Sequence, residues 1–232
     1  QGACTNTLEM DSDYLEQNNT QFSRLLLEEA LSAELPFVYA SSAAVYGAGS
    51  DFAPVPANEG AINPYGESKL RFDQQVRALL PRARSTVAGL RYFNVYGPRQ
   101  DPTSQYAAVV PNFITAASQG NALVIYGAGE QSRDFTFVAD IVQANLKAAL
   151  SSEADGAVVN VAAGEHTTIN VLAAMVIRLV GAEVEPEHLE PRVGDIRHSL
   201  ADISLARELM GYEPQYSIEQ GLQETVQYFN TS

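Results

Sequence analysis

The sequence is poor in several things, and each shortage closes off a class of function. One cysteine, Cys4, stands in 232 residues. It excludes an intramolecular disulfide and fits a reducing compartment, so the cytoplasm is the expected location. Basic residues number 14 against 28 acidic ones, giving a formal net charge of −14 and a pI near 4.5. No basic stripe is available to meet a phosphate backbone, which argues against nucleic-acid binding. The acids are spread along the chain rather than blocked, as on a solvated surface. No apolar run reaches the length of a membrane span, and no signal-peptide pattern is present. No histidine or cysteine stands at ligand spacing from Glu9, Asp11 and Asp13, so these read as helix N-terminal acids and no metal is expected. His166 and His198 are given structural or surface roles.

What is present suits a globular enzyme. Hydrophobic residues make up 46% and charged residues 18%, which predicts one large or two small domains. Strand and helix patterns alternate, implying a parallel sheet. Residues 12–33 are helical in pattern, with Tyr14, Asn18, Phe22, Leu25, Leu26 and Ala30 near one face. Residues 37–41 form a short buried strand with Ser42 at its carboxyl end, where ligands sit in open α/β sheets. A helix then runs from about Pro64, a favoured first-turn proline, to Leu80. Along it Tyr65, Lys69, Phe72, Val76 and Leu79 step by four, three, four and three, a single face. Further strands are predicted over 86–97, 122–126, 134–138 and 157–164, and further helices over 108–119, 139–150, 168–180, 202–210 and 217–229. No internal repeat, low-complexity tract or long linker interrupts them.

The chemistry concentrates in YASSAAVYG (39–47) and NPYGESK (63–69). An i,i+4 pair lies on one helix face, so Tyr65 and Lys69 can share a site. A tyrosine with pKa near ~10 is a poor base at neutral pH, and a neighbouring ammonium favours the phenolate. A serine hydroxyl, Ser42, then shares the proton that Tyr65 exchanges with a substrate alcohol. This is chemistry for oxidising a secondary alcohol by hydride transfer. A tyrosine and a lysine four apart also occur on plain amphipathic helices, so the pair alone is weak. Three further segments, RYFNVYGPRQDP (91–102), GEQSRDFTFVAD (129–140) and PRVGDIRHSLADISLA (191–206), follow it in order.

With those segments the chain resembles the nucleotide-sugar epimerases of the extended short-chain dehydrogenase/reductase family along essentially its whole length. The resemblance implies a Rossmann-like, doubly wound parallel sheet and a smaller C-terminal α/β substrate lobe. Residues 1–98 match the C-terminal part of the dinucleotide-binding domain, with the strand near 157–161 returning to it, and 99–232 match mainly the substrate domain. That family opens on a strand, a glycine-rich turn and a helix that receives the pyrophosphate. No G-x-x-G-x-x-G stands near the start here. The sheet is therefore expected to be incomplete, with its N-terminal strands missing. The 232 residues alone are expected to be inactive.

By resemblance the cofactor is NAD, and the site residues carry over one by one. Tyr65 is the acid/base, Ser42 bridges its proton, and Lys69 lowers its pKa and contacts the nicotinamide ribose. Tyr92 and Phe93 sit by the nicotinamide, and Asn94 bonds a sugar or phosphate oxygen. Arg133 and Arg192 pair with the diphosphate, Asp195 takes the uridine ribose, and Ser199 lines the wall near carbon 2 of the sugar. Arg133 has Asp134 and Asp140 as alternative partners, and Arg192 has Asp195 and Glu190. The helices over 12–33 and 63–80 are expected to form a homodimer interface. Ala43 and Ala44 stand where eliminating and decarboxylating members carry acids, so epimerisation is favoured. Residues 1–19 look most like the heptose 6-epimerases, which use a second base, a lysine just past N-V-Y-G-P-R. That position here is Thr103, and residues 100–112 instead resemble the UDP-hexose 4-epimerases. The expected reaction is UDP-hexose or UDP-N-acetylhexosamine 4-epimerisation. The alternatives are a heptose 6-epimerase, a nucleotide-sugar reductase or decarboxylase, and a non-catalytic fragment.

Overall fold

The computed structural model describes residues 4–101, 108–192 and 197–231. In chain order the elements are α1 (Ser12–Leu15), a π-helical turn (Glu16–Gln21), α2 (Phe22–Ser32), β1 (Phe37–Ser42), α3 (Pro64–Leu79), β2 (Val87–Tyr92), β3 (Val95–Tyr96) and α4 (Val109–Ser118). There follow β4 (Val124–Tyr126), β5 (Ser132–Arg133), β6 (Thr136–Phe137), α5 (Val138–Leu150), β7 (Val158–Val161), β8 (Thr167–Thr168), α6 (Ile169–Val180), β9 (Glu187–Leu189), α7 (Ser204–Met210) and α8 (Ile218–Thr231). None of these helices is long and apolar enough to cross a membrane among the described residues.

Two compact units divide the chain. The first holds the described residues up to Phe93, together with Val142–Val161 and Asp202–Glu213. Its sheet is parallel in the order β1-β2-β7. Leu27, Tyr39, Phe72, Val76 and Val87 form a buried cluster that fixes α2 and α3 on the sheet. Gly89 is needed on β2, because a Cβ there would stand 2.5 Å from the Tyr39 ring. A parallel sheet covered by helices is the Rossmann-like arrangement.

The segment 12–32 is helical but not uniformly α. Asp11 caps α1, accepting from the Tyr14 amide at 2.9 Å. The π-helical turn then shifts the phase, so the inward residues are Leu15, Asn19, Thr20, Ser23 and Leu27. The face of Tyr14, Phe22, Leu25 and Leu26 is left exposed. Periodicity over the whole stretch assumes a constant turn, and a wide turn breaks that assumption.

The second unit holds Asn94–Ile141, Ala162–Ala201 and the chain from Pro214 onward. It has three two-stranded ladders among the described residues: β3 with β6 and β4 with β9, both parallel, and β5 with β8, antiparallel. Val110, Phe113 and Ile114 of α4, Leu172 and Val176 of α6, and Leu222 and Val226 of α8 build its core with Leu123, Ile125 and Phe137. The strand expected over 86–97 is two strands. Asn94 takes a left-handed φ of 33°, which asparagine tolerates better than most residues, and the chain leaves β2 there. Strands β5, β8 and β9 went unpredicted, because two or three residues are too few to show an alternation.

Candidate active site

Local sequence explains how α3 delivers Tyr65 and Lys69. Asn63 caps the helix by accepting from the Gly66 amide at 2.7 Å, and Pro64 occupies the first turn, where no N–H is required. Gly66 lets this turn approach the segment after β1, since a Cβ there would stand 2.6 Å from the Ala44 carbonyl oxygen. Ser42 ends β1 beside Tyr92, its register partner on β2. Its hydroxyl accepts from the Ala44 amide at 3.2 Å and caps the short 3-10 turn that follows. Ser42, Tyr65 and Lys69 thus meet at the carboxyl end of a parallel strand.

The three are held largely away from water. Tyr65 and Lys69 are each 7% exposed, and Ser42 is half-buried. Burial raises the Tyr65 phenol above its ordinary value, while a hydrogen bond with Ser42 pulls it back down. Burial lowers the Lys69 ammonium, opposed by the charge of Asp73 and by Cys4. Lys69 Nζ donates to the Ala40 carbonyl at 3.1 Å and lies 5.9 Å from the centre of the Tyr65 ring, the outer limit of a cation–π contact. Burial thus favours the neutral phenol, and the Ser42 hydroxyl pulls toward the phenolate.

A polar chain behind α3 had not been expected. Asn19 accepts from the Cys4 amide at 2.8 Å and donates to the Ser68 hydroxyl at 3.0 Å. Ser68 in turn donates to the Tyr65 carbonyl at 2.7 Å, and Thr20 donates to the Ser68 carbonyl at 3.3 Å. The available signal was polar residues at inward helix positions, but reading it required knowing about the π-helical turn.

Tyr92 and Phe93 lie at the end of β2. The Tyr92 hydroxyl is engaged by the Asn145 side chain, with contacts of 2.9 and 3.1 Å, and burial raises its pKa. Phe93 is fully buried, packed against Tyr46 and Phe52 with centroids 6.1 and 5.9 Å away.

The remaining candidates belong to the second unit. Asn94 Nδ2 donates to the Asp134 carbonyl at 3.2 Å. Arg133 is half-buried and donates to the Ser132 carbonyl at 2.8 Å. Ser199 is 6% exposed, and its amide donates to that same carbonyl at 3.2 Å. The neighbouring His198 ring meets the Ser132 hydroxyl at 2.9 Å. Arg192 is exposed, its guanidinium stacked 3.9 Å from the centre of the Tyr126 ring. Asp195 and Thr103 lie outside the described residues. Asp134, beside Arg133, is wholly buried and accepts from the amides of Ala163, Gly164 and Ala201 at 2.9, 3.1 and 3.2 Å. Burial nevertheless dominates and pushes its pKa up to about 6.

A buried tyrosine next to a serine, with a lysine one turn on, thus stands at the carboxyl end of a strand in a Rossmann-like sheet. The chain belongs to the NAD dependent epimerase/dehydratase family, which matches residues 1–162. It is an NAD-dependent nucleotide-sugar epimerase. A relative described as ADP-L-glycero-D-manno-heptose-6-epimerase, from Pseudomonas paraeruginosa, is 38% identical over 96% of this chain and 74% of its own length. The solved UDP-N-acetylglucosamine 4-epimerase of Methanobrevibacter ruminantium, in complex with UDP-N-acetylmuramic acid, superposes with a TM-score of 0.93 at 35% identity, covering 100% of this chain and 75% of that one. The UDP-glucose 4-epimerase of Thermotoga maritima with UDP-glucose gives 0.91 at 33% identity, covering 100% and 76%.

The residues present fit the nicotinamide-ribose end of NAD. Lys69 gives Ala40 one ammonium proton and keeps two for hydroxyl oxygens, beside the Tyr65 phenol.

Proposed function

We propose that this chain carries the site of a UDP-hexose or UDP-N-acetylhexosamine 4-epimerase. The observation that carries the reading is the convergence of Ser42, Tyr65 and Lys69 at the carboxyl end of β1, in a chain with Thr103 where heptose 6-epimerases hold a second basic residue. One base suffices when the same proton site serves both faces of a sugar that turns over in its pocket.

NAD, when bound, takes up and returns the hydride. Tyr65 takes the proton of the sugar hydroxyl as its carbon becomes a ketone and gives it back after the sugar has turned. Ser42 shares that proton, so neither the phenolate nor the departing proton stands unsolvated in a buried site. Lys69 holds the cofactor ribose and supplies the positive charge that makes a transient phenolate tolerable. Arg133 and Arg192 clamp the diphosphate, where a planar guanidinium grips phosphate oxygens bidentately, and Asp195 holds the nucleoside ribose. Ser199 leaves room at carbon 2 for an acetamido group. Two copies pair through α3 and the exposed face of Tyr14, Phe22, Leu25 and Leu26.

The test is the full-length protein bearing this sequence, incubated with UDP-glucose and UDP-N-acetylglucosamine and followed by NMR. Galacto products that vanish on Tyr65→Phe are expected. The second reading, a heptose 6-epimerase, is favoured by the 38% identical relative. It is supported instead if only an ADP-heptose is converted.

A further inference from the structure

Behind the proton site lies a group of buried charges with no part in the reaction as written. Asp73 follows Lys69 by one turn of α3 and is 0% exposed, and Arg91 of β2 is 1% exposed. Asp73 Oδ2 accepts from Arg91 NH2 at 2.8 Å, from Arg91 Nε at 3.1 Å and from the Ser41 hydroxyl at 3.0 Å. Arg91 also donates to Glu59, which Arg77 engages in turn, and its guanidinium lies 4.9 Å from the centre of the Tyr46 ring. The Tyr39 hydroxyl and Asp73 Oδ1 are buried without an aligned hydrogen bond, though each feels the other. Burial raises the Asp73 acid while Arg91, Ser41 and Tyr39 hold it down, and Arg91 stays cationic against its own burial because of Asp73.

Stability alone is a poor account of this arrangement, since well-packed apolar residues do as well as a buried ion pair. Its geometry says more. Ser41 and Arg91 are register partners across β1 and β2, so one carboxylate oxygen ties α3 to both strands at once. The next residue pair along the same ladder is Ser42 and Tyr92. We propose that Asp73 is a positioning residue: by clamping Ser41 and Arg91 it fixes α3 over the strand ends that carry Ser42 and Tyr92, and it places a carboxylate one turn behind Lys69. The charge keeps Lys69 an ammonium within a site whose burial favours the neutral amine. The groups facing Lys69 are Asp73 and Tyr65 on α3, the Ala40 carbonyl on β1 and Cys4 of the N-terminal segment. Those facing Asp73 are Ser41 and Tyr39 on β1 and Arg91 on β2, with Glu59 and Arg77 beyond.

The inference rests on the role given to Lys69 above, but its test does not depend on turnover. Lys69 and Lys147 are the only lysines in the sequence. Full-length protein labelled with ¹³C at lysine Cε is titrated by NMR as wild type, Asp73→Asn and Asp73→Glu. The two resonances are assigned by their loss in Lys69→Arg and in Lys147→Arg. The expected result is a Lys69 midpoint that falls in Asp73→Asn and recovers in Asp73→Glu, with Lys147 unmoved. In the turnover assay the alkaline limb of the pH profile moves down with it. If Asp73→Asn does not fold, Asp73→Asn/Arg91→Gln removes both charges and should show a smaller fall, because losing the Arg91 cation offsets part of the loss of the carboxylate. A folded variant with an unchanged Lys69 midpoint overturns the inference. A lowered midpoint in a protein that epimerises no nucleotide sugar supports the clamp and defeats the functional reading instead.

Discussion

The two units bury carboxylates in opposite ways. In the first, Asp73 faces a guanidinium and a hydroxyl, so its charge is matched by side chains that are themselves buried. In the second, Asp134 accepts from three backbone amides and meets no cation among the described residues. A guanidinium neutralises, whereas amides only solvate, and three of them leave Asp134 titrating at about 6. The first unit can therefore hold a fixed charge behind a proton site. The second uses its carboxylate to gather loop backbone beside the short ladder that carries Arg133.

The largest expected effect concerns chemistry in the first unit. Tyr65→Phe should cut epimerisation by ~100- to 10,000-fold, the usual worth of a positioned acid/base, with urea unfolding little changed. A loss matched by unfolding would mean that the phenol is structural. Next, Arg91→Met should destabilise the protein by about 3–5 kcal/mol, because it leaves Asp73 buried without its cation and Glu59 with Arg77 alone. A urea midpoint near that of wild type would break the contrast between the units.

Asp134→Asn should cost less, about 1–3 kcal/mol, by turning an amide donor toward backbone N–H groups that need an acceptor. Its cost should also depend on pH. The folded acid titrates at about 6 against ~3.9 unfolded, so the folded state binds the proton more tightly. The stability this contributes is fully present below the unfolded value and is lost as pH rises through about 6. The variant lacks that component, and the difference between the two proteins should shrink as pH rises from 4 to 7, each read as a urea midpoint. The smallest effect is one of selectivity: Ser199→Tyr should depress turnover of the acetylated sugar more than that of UDP-glucose. Equal loss on both would remove Ser199 from the sugar wall.

Much of the first unit was legible because its chemistry sits on long regular elements. The stripe Tyr65, Lys69, Phe72 and Val76 shows in the four-three spacing of α3, and Ser42 is marked by the end of an apolar run. Asp73 was not legible. One charged residue adjoining an apolar stripe reads as solvated unless its partner is known, and Arg91 lies on another element. The inward face of residues 12–32 was obscured by the π-helical turn, which no period of 3.6 anticipates. In the second unit Asn94, Arg133, Arg192 and Ser199 stand on loops and ladders of two or three residues. There the family resemblance supplied the expectation and local pattern added little.

The most direct test of the central claim is product analysis by NMR of the full-length protein with UDP-glucose, UDP-N-acetylglucosamine and an ADP-heptose offered in parallel. Galacto epimers of the UDP-sugars are expected, absent with Tyr65→Phe. Conversion of the ADP-heptose alone would contradict it.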